Sequence, residues 1–261
     1  VSALTGAGLE GLDVHALGDE RGPLLSYVPG ERMGRPLADL VGLAPGRSAA
    51  EAVASVRSAW AGWVVATPDP NLAAALRAAG AEQRRRATVM SAALPSPAAA
   101  MRLPTVPRRA VPVRSLLPGW RAAYPAGHPD HESGTDEEVI ASCWDGYDTP
   151  EYAGAEHRSG GIVLRAGRPI GGIIVGVREE PAPWGGPWVN DIWVDPAFAG
   201  HGIGTALLGQ AQFVLHRDGF TTLGLVVSHG NPARRLYERC GFREVLESWT
   251  LLLPPGPPAS D

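Results

Sequence analysis

The chain has 261 residues, 44% hydrophobic and 19% charged, which suits one large domain or two modest ones with a sizeable core. Its formal net charge of −4 leaves no basic footprint for nucleic acid, and all 23 basic residues are arginine. No apolar run approaches the ~20 residues of a membrane span, and the start at Val1 shows no signal-peptide pattern. Two cysteines, Cys143 and Cys240, lie far apart with neither metal-ligand spacing nor a disulfide framework. The expectation is therefore no metal, no membrane and a reduced, cytoplasmic setting.

In chain order, "SAAEAVASVRSA" has a helical texture, "WAGWVVAT" reads as a buried strand and "PNLAAALRAAG" as a second helix. The segment "QRRRATVMSAAL" resumes a β pattern. Residues 95–118 hold six prolines and read as a linker or crossing segment, with a domain boundary near residue 100. The expected division is 1–96, a linker at 97–109, a second domain at 110–254 and a disordered tail at 255–261. Beyond the linker, a helix is expected over 134–144, then strands "GIVLRAG" and "PIGGIIVGV" joined by a hairpin turn. Strand "WVNDIWV" follows, then a helix over about 202–218 stopped by Gly219. After strand "TTLGLVVS", a helix begins with Asn231 as N-cap and Pro232 in its first position. Gly241 ends it, and "EVLESWTLLL" is the last strand.

The stretch "VDPAFAGHGIGTALL", residues 194–208, sets glycines at a strand-to-helix junction. A helix N-terminus leaves backbone N–H groups unpaired and carries about half a positive charge. Glycines before it remove the Cβ atoms that would keep a phosphate from those donors. "GHGIGT" thus reads as a pyrophosphate cradle, with Thr205 adding a hydroxyl, or alternatively as a tight turn with packing glycines. A dinucleotide fingerprint would want Gly at 207, which is Leu, and a Walker loop needs a lysine. Both of those readings fall.

The arrangement resembles the GNAT superfamily of acetyl-CoA-dependent N-acyltransferases, over about residues 110–253. The matching residues are Val194, Asp195, Pro196, Ala199, Gly202 and Gly204, with a second element in "LGLVVS", Asn231, Ala233, Leu236, Tyr237 and Gly241–Phe242. The resemblance implies an α/β (α+β) three-layer fold with a central mixed, largely antiparallel sheet, beside a smaller N-terminal α/β region. It implies acetyl-CoA as cosubstrate, with the pantetheine arm along Trp193 and Val194. The pyrophosphate would lie on Gly200, His201, Gly202, Ile203, Gly204 and Thr205, and Asn231 would be a further coenzyme contact. Ala199 stands where the family carries Arg or Gln; His201 and the Arg234–Arg235 pair are candidates for the missing positive charge.

By the same resemblance Tyr237 is the proton donor to the leaving thiolate; its alternative is a helix-face tyrosine packing on the sheet. Simple alternation puts 188, 190 and 192 on one strand face and 189, 191 and 193 on the other. The resemblance implies a carboxylate or His on this strand as base, for which Asp191, the carboxylate within the strand body, is the candidate. If the acceptor lies on the 188/190/192 side, Asp191 is structural and Asn190 positions a water, and the base is otherwise absent or drawn from Glu179, Glu180 or the N-terminal region. Residues 130–156 hold nine carboxylates and no arginine, so they form either a solvated face or a negative wall that draws a cationic amine. Trp144, Tyr147 and Tyr152 in that segment are candidates for cation–π contacts. The expected function is acetyl transfer to a primary amine of a small molecule or peptide; a cationic amine and a homodimer are both compatible with the sequence. The alternative is a non-catalytic acyl-CoA-binding sensor or interaction module.

The N-terminal region reads as a degenerate copy of this fold's second half. "WVVATPDPNLAAALRAAGAEQRR" from Trp63 parallels "GLVVSHGNPARRLYERCGFREV" from Gly224, with Leu76 at the position of Tyr237 and Ala81 at that of Phe242. A strand near 62–67, a helix near 70–79 and a strand near 83–94 are expected, without a G-x-G loop ahead of them; coincidence among Ala-rich helices is the alternative.

Overall fold

The computed structural model describes residues 12–32, 34–95, 103–179 and 185–256. Residues up to Thr88, together with those from Leu246, make one compact unit, and Val89–Val245 make the other. The division therefore falls at 88/89 and 245/246 and not in the proline-rich stretch. The expected linker is described only from residue 103, and its described part is built into the second unit. Thr105 and Val106 pair with Val163 and Ile162, and Arg108 is buried. Residues 257–261 of the expected tail and residue 180 lie outside the described residues.

The first unit begins with three strands that simple periodicity did not announce: β1 (His15–Asp19), β2 (Gly22–Arg32) and β3 (Arg35–Leu43). Helix α1 (Ala49–Ala59) follows, then β4 (Val64–Thr67), α2 (Pro70–Ala78) and the start of β5 (Glu82–Ala93), whose residues from Val89 belong to the second unit. The last strand of the chain, β12 (Arg243–Leu252), pairs antiparallel with β4, from Trp249 on Thr67 to Leu252 on Val64. Strand order in this unit is β1-β2-β3-β4-β12; β3 and β4 run parallel, and β1–β2, β2–β3 and β4–β12 run antiparallel. Its core gathers Leu24, Leu25, Val41, Val56, Val65, Leu72, Leu76 and Leu251.

Strand, helix and strand over 64–93 are the elements expected of a second copy, in the expected order. Both α2 and α7 (Arg234–Arg239) end alike: Gly80 and Gly241 take φ of 96° and 91°, and Ala81 N–H to Leu76 O matches Phe242 N–H to Tyr237 O, each 3.0 Å. The long helix that ends at Gly219 closes with the same bond, Phe220 N–H to Leu215 O, so the cap belongs to Gly-terminated helices in general. The case for a copy rests on element order.

The second unit contains β6 (Thr105–Val106), α3 (Val113–Ala123), the short helices α4 (Asp136–Val139) and α5 (Pro150–Ala153), and β7 (Ala155–Glu156). Strands β8 (Gly161–Arg165), β9 (Arg168–Arg178) and β10 (Gly186–Val194) follow, then α6 (Ile203–Arg217), β11 (Thr222–Ser228) and α7. From β8 on, this is the predicted order. Strands run β5-β11-β10-β9-β8-β6, with β7 also on β9. The β8–β9 hairpin turns through Ala166 and Gly167, both with positive φ (50° and 77°), the two-residue turn whose twist suits a hairpin. Helix α3 lies where prolines suggested a linker: Pro112 precedes it and Pro118 sits within it. Its buried Leu116, Leu117 and Trp120 dock on Trp193 of β10, and Gly119 makes this approach possible, because a Cβ there would lie 2.9 Å from the Trp193 ring.

Strands β10 and β11 run parallel and pair only at Trp188–Gly224 and Val189–Leu225. Gly224 accommodates the Trp188 ring, which would lie 2.5 Å from an added Cβ. We predict that Gly224→Ala costs about 1–3 kcal/mol of stability, as overpacked core positions do; denaturant unfolding of the two proteins checks it.

Candidate active site

A bulge shapes β10. Val189 stands opposite Val175 and Asp191 opposite Ile174, so Asn190 is an extra residue in this strand. Cross-strand partners share a face, so Trp188, Asp191 and Trp193 lie on one face and Val189, Ile192 and Val194 on the other. This corrects the simple alternation. Asp191 and Trp193 face α3, while Val189, Ile192 and Val194 join the core beneath α6 and α7.

Beyond the bulge the strand edge opens. The Asp195 N–H bonds Ile170 O at 2.9 Å, and antiparallel ladders alternate, so the backbone groups of Trp193 are those turned to β9. Those of Ile192 and Val194 turn to the other edge, where β11 has ceased to pair. Ile192 and Val194 are thus the backbone positions presented to the gap; the sequence implied Trp193 and Val194. The Trp193 side chain is buried under α3.

Helix α6 starts at the mouth of this gap. Gly202 is its N-cap in a left-handed conformation (φ 76°) and contributes no side-chain capping bond. Ala206 N–H to Gly202 O is the first helical bond, so the N–H groups of Ile203, Gly204 and Thr205 have no helical partner. Gly200 is also left-handed, with open space where a Cβ would be. Gly204 differs, since a Cβ there would meet Leu236 at 3.0 Å and Val194 at 3.8 Å. It packs α6 against α7 and β10 and keeps nothing clear for a phosphate. His201 is exposed, its Nδ1 donating to Ala199 O (2.9 Å) or Phe198 O (3.2 Å). Asp195 accepts from Ala197 N–H and Arg168, which fixes the turn into the loop. Arg234, a candidate for the missing charge, is ion-paired with Glu238 and Glu244. By contrast, α1 is closed by a capping box in which Ser48 and Glu51 satisfy each other's backbone N–H groups.

Helix α7 begins at Arg234, two residues later than expected. Asn231 Oδ1 accepts from Ala233 N–H, closing the turn ahead of the helix, and its Nδ2 donates to Asp130 at 2.8 Å. Asp130 also accepts from Ser228 at the end of β11. Tyr237 is buried beside Phe242. Burial raises its pKa above the ordinary tyrosine value, so its hydroxyl keeps its proton.

Asp191 is the centre of the other wall. It is buried and bonded by three side chains: Trp120 Nε1 (2.7 Å) and Tyr147 (3.2 Å) donate to Oδ2, and the Tyr124 hydroxyl lies 2.7 Å from Oδ1. Desolvation raises its pKa, opposed by Tyr124, Trp120, Tyr147 and the backbone N–H of Ile192. With both oxygens engaged, it presents no free one to an amine. Asn190 is tied to the wall as well, its Nδ2 donating to Ala153 O at 2.8 Å and its Oδ1 accepting from Arg178 at 3.1 Å. Trp120 and Tyr124 escaped the sequence reading, although Leu116, Leu117, Trp120 and Tyr124 have helical spacing.

Four carboxylates of the acidic segment are ion-paired from outside it. Asp136 pairs with Arg121, Glu137 with Arg114, and Asp148 and Glu156 with Arg108 and Arg109. Trp144 is buried and Tyr147 is bound to Asp191, leaving Tyr152 as the exposed aromatic of the three. Among the described residues no group of His, Cys, Asp and Glu is arranged to hold a metal, and no helix is long and apolar enough to cross a membrane.

Residues 118–242 match the model of the Acetyltransferase (GNAT) family. Over 55 residues, 21% of this chain, the sequence is 46% identical to a [Ribosomal protein bS18]-alanine N-acetyltransferase of Haemophilus influenzae. The match spans 38% of that relative's length. The fold is similar to that of a GCN5-related N-acetyltransferase from Sphaerobacter thermophilus, with TM-score 0.60 and 21% identity over 95% of this chain and 84% of that one. It is also similar to a tandem GNAT protein from the clavulanic acid biosynthesis pathway, with TM-score 0.54 and 17% identity over 94% of this chain and 83% of that one. At such identities these two structures speak for the fold alone.

The two loop glycines should separate by experiment. Gly202→Val forces a branched residue into left-handed backbone and should weaken acetyl-CoA binding at least ~10-fold, or about 1.4 kcal/mol, in calorimetry on the folded variant. Gly204→Val drives a side chain into Leu236 and should instead lower the unfolding midpoint, by about 1–3 kcal/mol of stability.

Proposed function

We propose that this chain, whose residues 118–242 match the Acetyltransferase (GNAT) family, transfers the acetyl group of acetyl-CoA to a primary amine of a small molecule or peptide. The observation that carries this reading is the uncapped start of α6, set where β10 and β11 have parted. Ligands of parallel strands bind beyond their carboxyl ends where neighbours diverge, and bare N–H groups at a helix start suit a phosphate. In this reading the pyrophosphate lies on residues 200–205, and the pantetheine arm runs along Ile192 and Val194. Asn231 holds the β11–α7 turn in place through Asp130 and Ala233.

Binding both reactants in the gap supplies much of the rate by making the reaction effectively intramolecular. The amine nitrogen, as the free base, attacks the thioester carbonyl carbon. As the tetrahedral adduct collapses, the C–S bond breaks and Tyr237 gives its proton to the departing sulfur. The surplus proton on the new amide nitrogen then restores Tyr237. A buried tyrosine with a raised pKa suits this role, since it is protonated throughout the neutral range. Asp191 and Asn190 hold the acceptor wall.

The Haemophilus relative is named for an alanine of a ribosomal protein, so peptide amino termini come first among acceptors to screen. The ion pairing of the acidic segment lends less support to a cationic acceptor than its sequence implied. A non-catalytic acyl-CoA-binding role has one observation in its favour, the engagement of Asn231 and Arg234 within the protein. Release of free CoA across a panel of peptide and small amines decides between the two. Acetyl-CoA binding with no release on any amine would favour the sensor.

Tyr237→Phe should lower kcat at least ~10-fold, about 1.4 kcal/mol of transition-state stabilisation, with little change in acetyl-CoA affinity. Steady-state kinetics with calorimetry checks it, and an unchanged kcat would remove Tyr237 from the chemistry.

A further inference from the structure

The hydroxyl of Tyr124 lies 2.7 Å from Asp191 Oδ1 and 2.9 Å from the carbonyl oxygen of Ile192. A phenol carries one proton, and both neighbours are acceptors when Asp191 is ionised. In that state the proton goes to the carboxylate, because hydrogen bonds to an ionised partner are roughly twice as strong. The Ile192 oxygen would then face the phenol oxygen with no proton between them. If Asp191 carries a proton on Oδ1, every contact has one donor. Asp191 donates to Tyr124, Tyr124 donates to Ile192 O, and Oδ2 accepts from Trp120 and Tyr147.

The surroundings favour the same state. The titratable groups facing Asp191 are Tyr124 from α3, Cys143 and Tyr147 from the segment after α4, and Tyr237 from α7. Each is neutral or becomes negative, and burial raises the pKa of all four. Among the described residues no arginine or histidine bonds the carboxyl group, and a buried charge without a counter-charge is strongly disfavoured.

We infer that Asp191 is held as the neutral carboxylic acid, and that Tyr124 is a positioning residue which relays this state to the edge of β10 by donating to the Ile192 carbonyl. That carbonyl points into the gap between β10 and β11. Left bare, it would repel the thioester carbonyl oxygen of an acyl-CoA arm, which is an acceptor like itself. Capped by Tyr124, it does not. The consequence for acyl-CoA rests on the proposed function, whereas the protonation state does not.

Infrared difference spectra of the full chain at pH 7, without substrate, test the state directly. Wild type minus Asp191→Asn should show the C=O band of a protonated carboxyl group. Wild type minus Tyr124→Phe should show the same band displaced, because the acid loses its hydrogen-bond acceptor. A merely structural aspartate would give neither signal. A carboxylate stretch in either difference, or a band that Tyr124→Phe leaves unmoved, overturns the inference, and the second comparison stands if Asp191→Asn does not fold. With acetyl-CoA, Tyr124→Phe should raise the Kd at least ~3-fold, and an unchanged Kd would overturn the capping role. Failure of wild type to bind acetyl-CoA would instead strike at the proposed function and leave the band to be read.

Discussion

One extra residue in β10 organises the second unit. With Asn190 inserted opposite β9, the strand changes which face its side chains take, so Trp188, Asp191 and Trp193 stand together under α3. The same irregularity follows immediately on the last pairing with β11. A regular strand would keep its hydrogen bonds on both edges and leave no gap. The bulge turns backbone groups that would be consumed by a neighbouring strand into groups a ligand can use. The bare start of α6, Tyr237 and the Asp191 cluster all gather around that opening.

The two walls of the gap differ in how they are held. The α6–α7 side is an apolar core, with Leu207, Leu208, Tyr237 and Phe242 packed together and Gly204 setting the distance to Leu236. The α3 side is held by aromatic edges and a single buried carboxyl group. Trp120 meets Tyr124 and Trp144 edge-on, and Trp120, Tyr124 and Tyr147 converge on Asp191. Apolar packing tolerates small adjustments of volume. A buried polar group does not tolerate the loss of a partner, since the orphaned group keeps its full desolvation cost.

The coenzyme side was legible in the sequence because backbone geometry demands particular residues there. Gly200, Gly202 and Gly241 all sit in left-handed backbone, and a strand, glycine loop and helix in that order leave few alternatives. The acceptor side was not, for two physical reasons. Helix α3 carries Pro118 and follows a run of prolines, so local propensity pointed to a linker while tertiary packing of Leu116, Leu117 and Trp120 made a helix. A bulge has no sequence signature here, so strict alternation misplaced Asp191 relative to Trp188. The acidic run looked unpaired because its partners Arg108, Arg109, Arg114 and Arg121 precede it in the chain. The three opening strands were not legible because prolines and glycines at 23, 29, 30 and 36 interrupt the alternation a strand would show.

The pairing of β12 with β4 also sets a timetable for synthesis. Val64–Thr67 are matched by residues 249–252, so the sheet of the first unit lacks a strand until the ribosome has read through the second unit. Until then β4 offers an unpaired edge, the kind of surface on which nascent chains misassociate. Contacts so distant in sequence also form late, because a long loop must close before they contribute. A chain stopped at the end of the second unit would leave the first unit without that strand. In the cell, the unit that is made first is finished last.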